Sequence, residues 1–138
     1  MDFINKYKDL WIEGYAHDDF WECLLTIFGK LAYYDGTLVT RRIHNKNETA
    51  LKRNDKESTL KYLRIRKELC SKIIKKSDSL KLNKNTIEFI NQYIKFSEKR
   101  ITALKNNSIN AWIKIPTCNM KFYNNKAAWV RDLFWIIK

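Results

Sequence analysis

The residues best suited to a chemical role are the lysines and arginines in the middle of the chain. Over residues 56–76 only Glu57 and Glu68 oppose them. Positive side chains at this density attract phosphates and bind them by releasing counterions. The candidate contacts in the basic run at residues 41–76 are Arg41, Arg42, Lys52, Arg53, Lys61, Arg64, Arg66, Lys67, Lys72, Lys75 and Lys76.

The charge is unevenly distributed along the chain. Residues 1–37 carry three lysines and seven acids, whereas residues 38–84 carry fifteen basic residues and five acids. The net charge of the whole chain is +12. A charge needed only for solubility would not segregate in this way. We therefore expect the basic middle to engage nucleic acid, a nucleoprotein or an acidic protein groove. The same segregation permits head-to-tail self-association of the acidic end with the basic middle.

One of these cations, Arg66, lies on the apolar face of its predicted helix. At 100° per residue it projects into an apolar face, and a buried guanidinium without a partner is very costly. Arg66 should therefore either pair with an internal carboxylate, for which Glu98 is the candidate, or open onto a binding site. Arg131 poses the same problem, because its neighbour Asp132 faces another direction. The apolar face around Arg66 consists of Tyr62, Ile65, Leu69, Cys70 and Ile73.

A second candidate contact region is the segment 109–123. Here Trp112, Phe122 and Tyr123 lie beside Lys114 and Lys121. Interleaved basic and aromatic residues on an irregular segment are typical of proteins that bind single-stranded nucleic acid, since bases stack on aromatic rings. Most other aromatic residues have helical spacing and are predicted to lie in the core.

No recognisable catalytic set accompanies these contacts. The chain has two histidines and no Gly-rich phosphate loop, nucleophile elbow or zinc deaminase pattern. His17 precedes three acids and could form a metal site, but acids in a first turn more often cap a helix. We therefore predict no enzyme activity, no cofactor and no metal. Convergence of Arg66, Glu98 and a histidine in one pocket would favour an enzyme instead.

The cysteines and the first ten residues bear on the compartment. Cys23, Cys70 and Cys118 are odd in number and form no CxxC pair. Charged residues interrupt the first ten positions, and no apolar run approaches the roughly 18–20 residues that span a bilayer. These features favour a reduced, cytoplasmic protein with free thiols and no membrane contact.

The elements that must position these residues are helices. With three Gly and one Pro, apolar spacing predicts an all-α fold: a compact bundle of about five helices in one domain, residues 1–138. The polar stretch 41–54 is predicted to be a loop. Residues 109–124 are predicted to form a small hairpin or a long loop. The predicted helices cover residues 2–15, 18–35, 55–77, 86–106 and 125–137, with 81–84 joining the third to the fourth.

Two functional hypotheses follow from these patterns. The leading one is a non-enzymatic basic protein that engages RNA or DNA, or a nucleoprotein, through the Lys/Arg surface at 41–76. The alternative is a small inhibitor or accessory factor of the immunity, antitoxin or anti-CRISPR type that occupies a partner's groove. The heavy use of Lys, Asn and Ile is typical of AT-rich genomes, among which phages and mobile elements are common.

Overall fold

The computed structural model describes residues 2–28, 55–116, 120–123 and 125–138, and within these ranges it contains helices and no strand. This confirms the predicted all-α bundle. No helix in the described ranges is long and apolar enough to cross a membrane. The predicted loop at 41–54 lies outside the described residues. The elements are α1 (Asp2–Tyr7), α2 (His17–Phe28), α3 (Lys56–Lys75), α4 (Lys84–Lys105), α5 (Ile109–Ile113) and α6 (Lys126–Ile137), with 3₁₀ helices at Lys8–Leu10 and Met120–Phe122.

The two longest helices, α3 and α4, form an antiparallel hairpin that is the centre of the molecule. Side-chain caps start both helices: Asp55 accepts a 2.7 Å hydrogen bond from the Ser58 backbone, and Asn83 accepts one of 2.8 Å from the Thr86 backbone. The chain reverses between them with Lys81 at a φ of 54°. The prediction of a helical hairpin at this position is therefore confirmed.

The first helix is shorter than predicted. It ends at Tyr7, and a 3₁₀ turn continues only to Leu10. Gly14 then adopts a φ of 78°, a left-handed conformation that favours glycine and cannot continue a helix. The apolar residues after the turn, Ile12 and Tyr15, reach the core from this irregular segment. Helical spacing alone could not distinguish this arrangement from a continuous helix.

The core has two parts, one at each end of the hairpin. The N-terminal elements cover the end near the hairpin turn, where Leu10, Phe20 and Leu24 pack against α3 residues such as Ile73. The C-terminal elements cover the other end. Their cluster consists of Leu63, Phe96, Ala103, Leu104, Trp112, Ile115, Tyr123 and Ile136. The middle of α3 and α4 therefore lies between two separate apolar clusters.

The segment after α4 contains two short helices, Ile109–Ile113 and Met120–Phe122, where a small hairpin or a long loop was predicted, and no strand among its described residues, so the hairpin is wrong. Asn107 adopts a φ of 50°, and the Ser108 backbone donates a 3.0 Å hydrogen bond back to the Ala103 carbonyl, which ends α4. Ser108 then caps α5 by accepting a hydrogen bond from the Ala111 backbone. The alternating apolar pattern reflects packing on α4 and α6 and not strand pairing.

A buried ion pair joins α4 to α6. The Arg100 guanidinium donates to both carboxylate oxygens of Asp132, from Nε at 2.6 Å and from Nη2 at 2.9 Å. Tyr123 donates a third hydrogen bond of 2.8 Å to the same carboxylate, whose residue is 0% exposed. The pair satisfies two charges that would otherwise be costly to bury. It also explains why Asp132 faces away from its neighbour Arg131.

We expect Asp132→Ala to reduce the free energy of unfolding by about 3–5 kcal/mol, because it leaves the Arg100 charge buried without a carboxylate. The double variant Arg100→Met/Asp132→Leu should lose much less, since it removes both charges. Urea denaturation followed by circular dichroism measures both. Equal losses in the single and double variants would show that the charge pairing is not what stabilises this contact.

Candidate anion-binding site

The basic residues predicted from the sequence divide into several environments. Arg41, Arg42, Lys52 and Arg53 lie outside the described residues. The remaining cations of the run lie on α3 or, for Lys76, at its end. These cations differ in their surroundings: some are exposed to solvent, some pair with a carboxylate, and one faces the interior.

Three of the α3 cations have acidic neighbours. Lys67 lies 3.4 Å from the Glu98 carboxylate, and Lys72 lies 3.8 Å from Glu68. Lys76 lies 3.8 Å from the Asp9 carboxylate, so the acidic N-terminal region contacts the basic helix within the chain. Exposed pairs of this kind contribute at most about 1 kcal/mol each. They nevertheless reduce the charge that these three lysines present to a partner.

Three other α3 cations, Lys61, Arg64 and Lys75, are exposed and lie within a sector of about 60° at 100° per residue. No carboxylate among the described residues lies within ion-pair distance of them. On α4, the exposed residues Lys84, Lys95 and Lys105 form a similar row. We call these two rows the cationic stripes. Each lies on the side of its helix opposite the core.

The acids near the cationic stripes are mostly engaged elsewhere. Glu68 and Glu98 pair with Lys72 and Lys67, which are not stripe residues. Glu88 accepts a 3.0 Å hydrogen bond from Gln92. Glu57 lies in the first turn of α3, where a negative charge is favourable at the positive end of the helix dipole. Glu57 and Glu68 nevertheless project into the same sector of α3 as its stripe, and Glu98 into that of α4, so each stripe has a net positive charge that these acids lower.

Arg66 faces the interior, as its position in the apolar face predicts, but Glu98 is not its partner. Its Nε donates a 3.1 Å hydrogen bond to the Tyr15 hydroxyl, and its guanidinium carbon lies 5.0 Å from the centroid of the Tyr62 ring. Burial raises the pKa of Tyr15, so the phenol accepting this bond is neutral. Among the described residues, no carboxylate lies within ion-pair distance of Arg66.

Arg66 lines a cavity of about 400 Å³ between the two halves of the core. We call it the arginine cavity, because Arg100 and Arg131 also contribute to its wall. Arg100 is neutralised by Asp132, and the Arg131 guanidinium carbon lies 4.9 Å from the Trp135 ring centroid. The full lining is Asp19, Ser58, Thr59, Tyr62, Leu63, Arg66, Tyr93, Phe96, Arg100, Phe122, Ala128 and Arg131.

The aromatic and basic residues predicted around position 112 lie in different places. Trp112 is buried and stacks on Trp129, with ring centroids 4.1 Å apart. Tyr123 is buried beneath Arg100, whose guanidinium carbon lies 4.6 Å from its ring centroid. Both rings are therefore core residues, because α5 and α6 enclose them. Neither ring is exposed enough to stack on a base.

The two lysines of the same segment remain at the surface. Lys114 is exposed. Lys121 donates a 2.6 Å hydrogen bond to the Gln92 side chain and lies 5.1 Å from the centroid of the Phe122 ring. It therefore stands at the edge of the aromatic group that lines the arginine cavity.

The metal site considered at His17, at the start of α2, has no cluster of ligands among the described residues. In the described part of the chain, no three His, Cys, Asp or Glu residues come close enough together to hold a metal ion. The His17 ring instead packs against Trp11, with centroids 4.3 Å apart. Asp18 and Asp19 lie in the first turn of α2, where acids complement the helix dipole.

Several residues of the site were not among those predicted from the sequence. Lys84, Lys95 and Lys105 are spaced eleven and ten residues apart, and helical projection would have placed them on one face. Tyr15 and Tyr93, which surround Arg66, come from separate parts of the chain and share no local pattern. Comparison with protein-family models, with curated proteins and with solved structures finds no match for this chain.

The thiols of Cys23 and Cys70 should be poorly reactive in the folded protein. Burial raises the pKa of both, that of Cys70 to about 12, so little thiolate is present at pH 8. We expect iodoacetamide at pH 8 to modify Cys70 slowly in buffer and rapidly in urea, as followed by peptide mass spectrometry. Equally rapid modification of Cys70 in both solutions would contradict its burial.

Proposed function

We propose that this protein binds nucleic acid through the cationic stripes of α3 and α4 and acts by occupancy, without catalysis. One observation carries the proposal: each helix presents a row of exposed cations that lie beyond ion-pair distance of every described carboxylate. A polyanion is the partner that such rows suit, because it gains several contacts at once and releases counterions.

The charge of the hairpin supports this proposal. Residues 55–105 carry fourteen lysines and arginines against six acids, a net charge of +8. This is two-thirds of the net charge of the whole chain, on little more than a third of its residues. A net positive charge on a rigid surface attracts phosphates and raises the rate of encounter.

The spacing of the α3 stripe suits a linear partner. Lys61 and Lys75 are fourteen residues apart, which corresponds to roughly 21 Å along a helix. Arg64 lies between them on the same side and can donate two parallel hydrogen bonds to one phosphate. Lys61 and Arg64 lie about one turn apart and Lys75 about three turns further on, so the stripe suits separated phosphates of one strand and not a single anion.

The test compares two triple variants that lose the same net charge. Lys61→Gln/Arg64→Gln/Lys75→Gln removes the α3 stripe, and Lys67→Gln/Lys72→Gln/Lys76→Gln removes the ion-paired lysines. Affinity for a fluorescent oligonucleotide is measured by anisotropy between 50 and 200 mM salt. We expect wild-type affinity to fall steeply with salt, and the stripe variant to lose about 2–3 from the slope of log K against log salt. The control should lose less.

Equal effects of the two variants would mean that net charge alone, and not the stripe, governs binding. Retention of no oligonucleotide at 50 mM salt would refute the proposal. Affinity purification with and without nuclease provides a further check. One protein retained in stoichiometric amounts after nuclease treatment would instead favour the inhibitor or accessory factor considered from the sequence.

A further inference from the structure

We infer that the arginine cavity binds one phosphorylated nucleoside, with its phosphate on Arg66 and its base among the aromatic rings of the wall. The ligand is either a free nucleotide or the phosphorylated end of a strand. The inference deepens the proposed function, on which it rests for the class of ligand. It assigns to the cavity a role separate from that of the cationic stripes, which face solvent.

The first support is the contrast between two arginines of the same cavity wall. Arg100 has a complete counter-charge, because both oxygens of Asp132 accept from it. Arg66 has the neutral Tyr15 hydroxyl and the face of Tyr62. A partly buried guanidinium held by neutral groups has lost hydration without gaining an opposite charge. An anion entering the cavity would supply that charge.

The neighbours of Arg66 hold it in place without neutralising it. Tyr15 is 4% exposed, and its ring packs edge-on against Tyr62 at 6.2 Å between centroids. Tyr93 lies on the adjacent helix, and burial raises its pKa although the Arg66 charge lowers it, so this phenol is also neutral. The guanidinium is therefore fixed by aromatic side chains. A pre-positioned planar fork of donors matches phosphate oxygens closely.

The charge of the wall agrees with an anionic ligand. Three arginines and one acid, Asp19, line the cavity, and Asp132 behind the wall neutralises Arg100. The formal charges of these four lining residues and Asp132 add to a net charge of +1. In a partly enclosed site of low dielectric, such a charge attracts an anion more strongly than the same charge on the surface.

The size and the apolar part of the wall favour a nucleoside over a bare anion. A volume of about 400 Å³ lies within the usual range of small-molecule sites and greatly exceeds the space that a phosphate needs. The Phe122 ring lies 5.4 Å from Tyr93 and 5.5 Å from Phe96 between centroids, forming an aromatic wall. Tyr62, 37% exposed, also lines the cavity and is accessible from outside. Aromatic rings of this kind stack on bases.

The test uses adenosine 5′-monophosphate, adenosine and inorganic phosphate as probes, with binding measured by isothermal titration calorimetry on the full chain. We expect the nucleotide to bind at least tenfold more tightly than either fragment. Arg66→Gln should reduce nucleotide affinity at least tenfold, and Arg66→Lys should reduce it less, because the charge remains while the fork is lost. Lys81→Gln, which removes one charge from the hairpin turn, is the matched control and should bind like wild type.

The comparison of the three probes on the wild-type protein needs no variant, so it remains decisive if Arg66→Gln fails to fold. Adenosine binding as tightly as the nucleotide would overturn the role of the phosphate. Phosphate binding as tightly as the nucleotide would overturn the role of the base. Unchanged affinity in Arg66→Gln would place the ligand elsewhere and refute the inference.

Oligonucleotides with a 5′-phosphate or a 5′-hydroxyl distinguish the two sources of the ligand. Tighter binding of the phosphorylated strand, lost in Arg66→Gln, would identify a strand end, and equal binding of the two strands would identify a free nucleotide. The proposed function fails separately: if the stripes do not bind strands, the 5′-hydroxyl oligonucleotide does not bind while the nucleotide still does. If only the cavity inference fails, the strand binds in a salt-dependent manner and the nucleotide does not.

Discussion

The buried pair of Arg100 and Asp132 is the interaction on which the C-terminal half of this structure depends. It joins the longest helix to the last one, and the hydroxyl of Tyr123 ties the short segment between them to the same carboxylate. Burying two charges is offset only by good geometry and further hydrogen bonds, and the bidentate contact and the Tyr123 hydroxyl provide both. Phe122, Ala128 and Arg131 lie on these elements, and therefore the pair also shapes one wall of the arginine cavity.

On the opposite wall of the cavity, the arginine contacts neutral groups and not a carboxylate. There Arg66 is held by Tyr15 and Tyr62, which provide an acceptor and a ring face but no negative charge. A phenol can orient a guanidinium at little cost in hydration, but it cannot balance its charge. The cavity thus combines a neutralised arginine that supports the fold with a second arginine whose charge remains available.

On the outer surface, ion pairing removes charge from some cations and leaves others. Lys67, Lys72 and Lys76 lie beside acids, one of which, Asp9, comes from the N-terminal region. The acidic first third of the chain therefore contacts the basic middle within one molecule, at this pair at least. The cations that point directly away from the core have no such neighbour in the described ranges. The surface charge is consequently concentrated on the solvent faces of the hairpin.

Apolar spacing was enough to predict the helical class, the α3–α4 hairpin and the last helix, because it depends only on neighbours three or four residues away and indicates which face of a helix is buried. It also identified Arg66 as a cation on an apolar face. It did not identify Tyr15 or Tyr93 as its neighbours, because those contacts form between segments far apart in the chain. For the same reason, Trp112 and Tyr123 were predicted to lie on a binding segment, whereas both are core residues. Which basic side chains pair with an acid and which line the cavity depends on tertiary packing, because a helical projection does not show which residues of other elements pack against the helix.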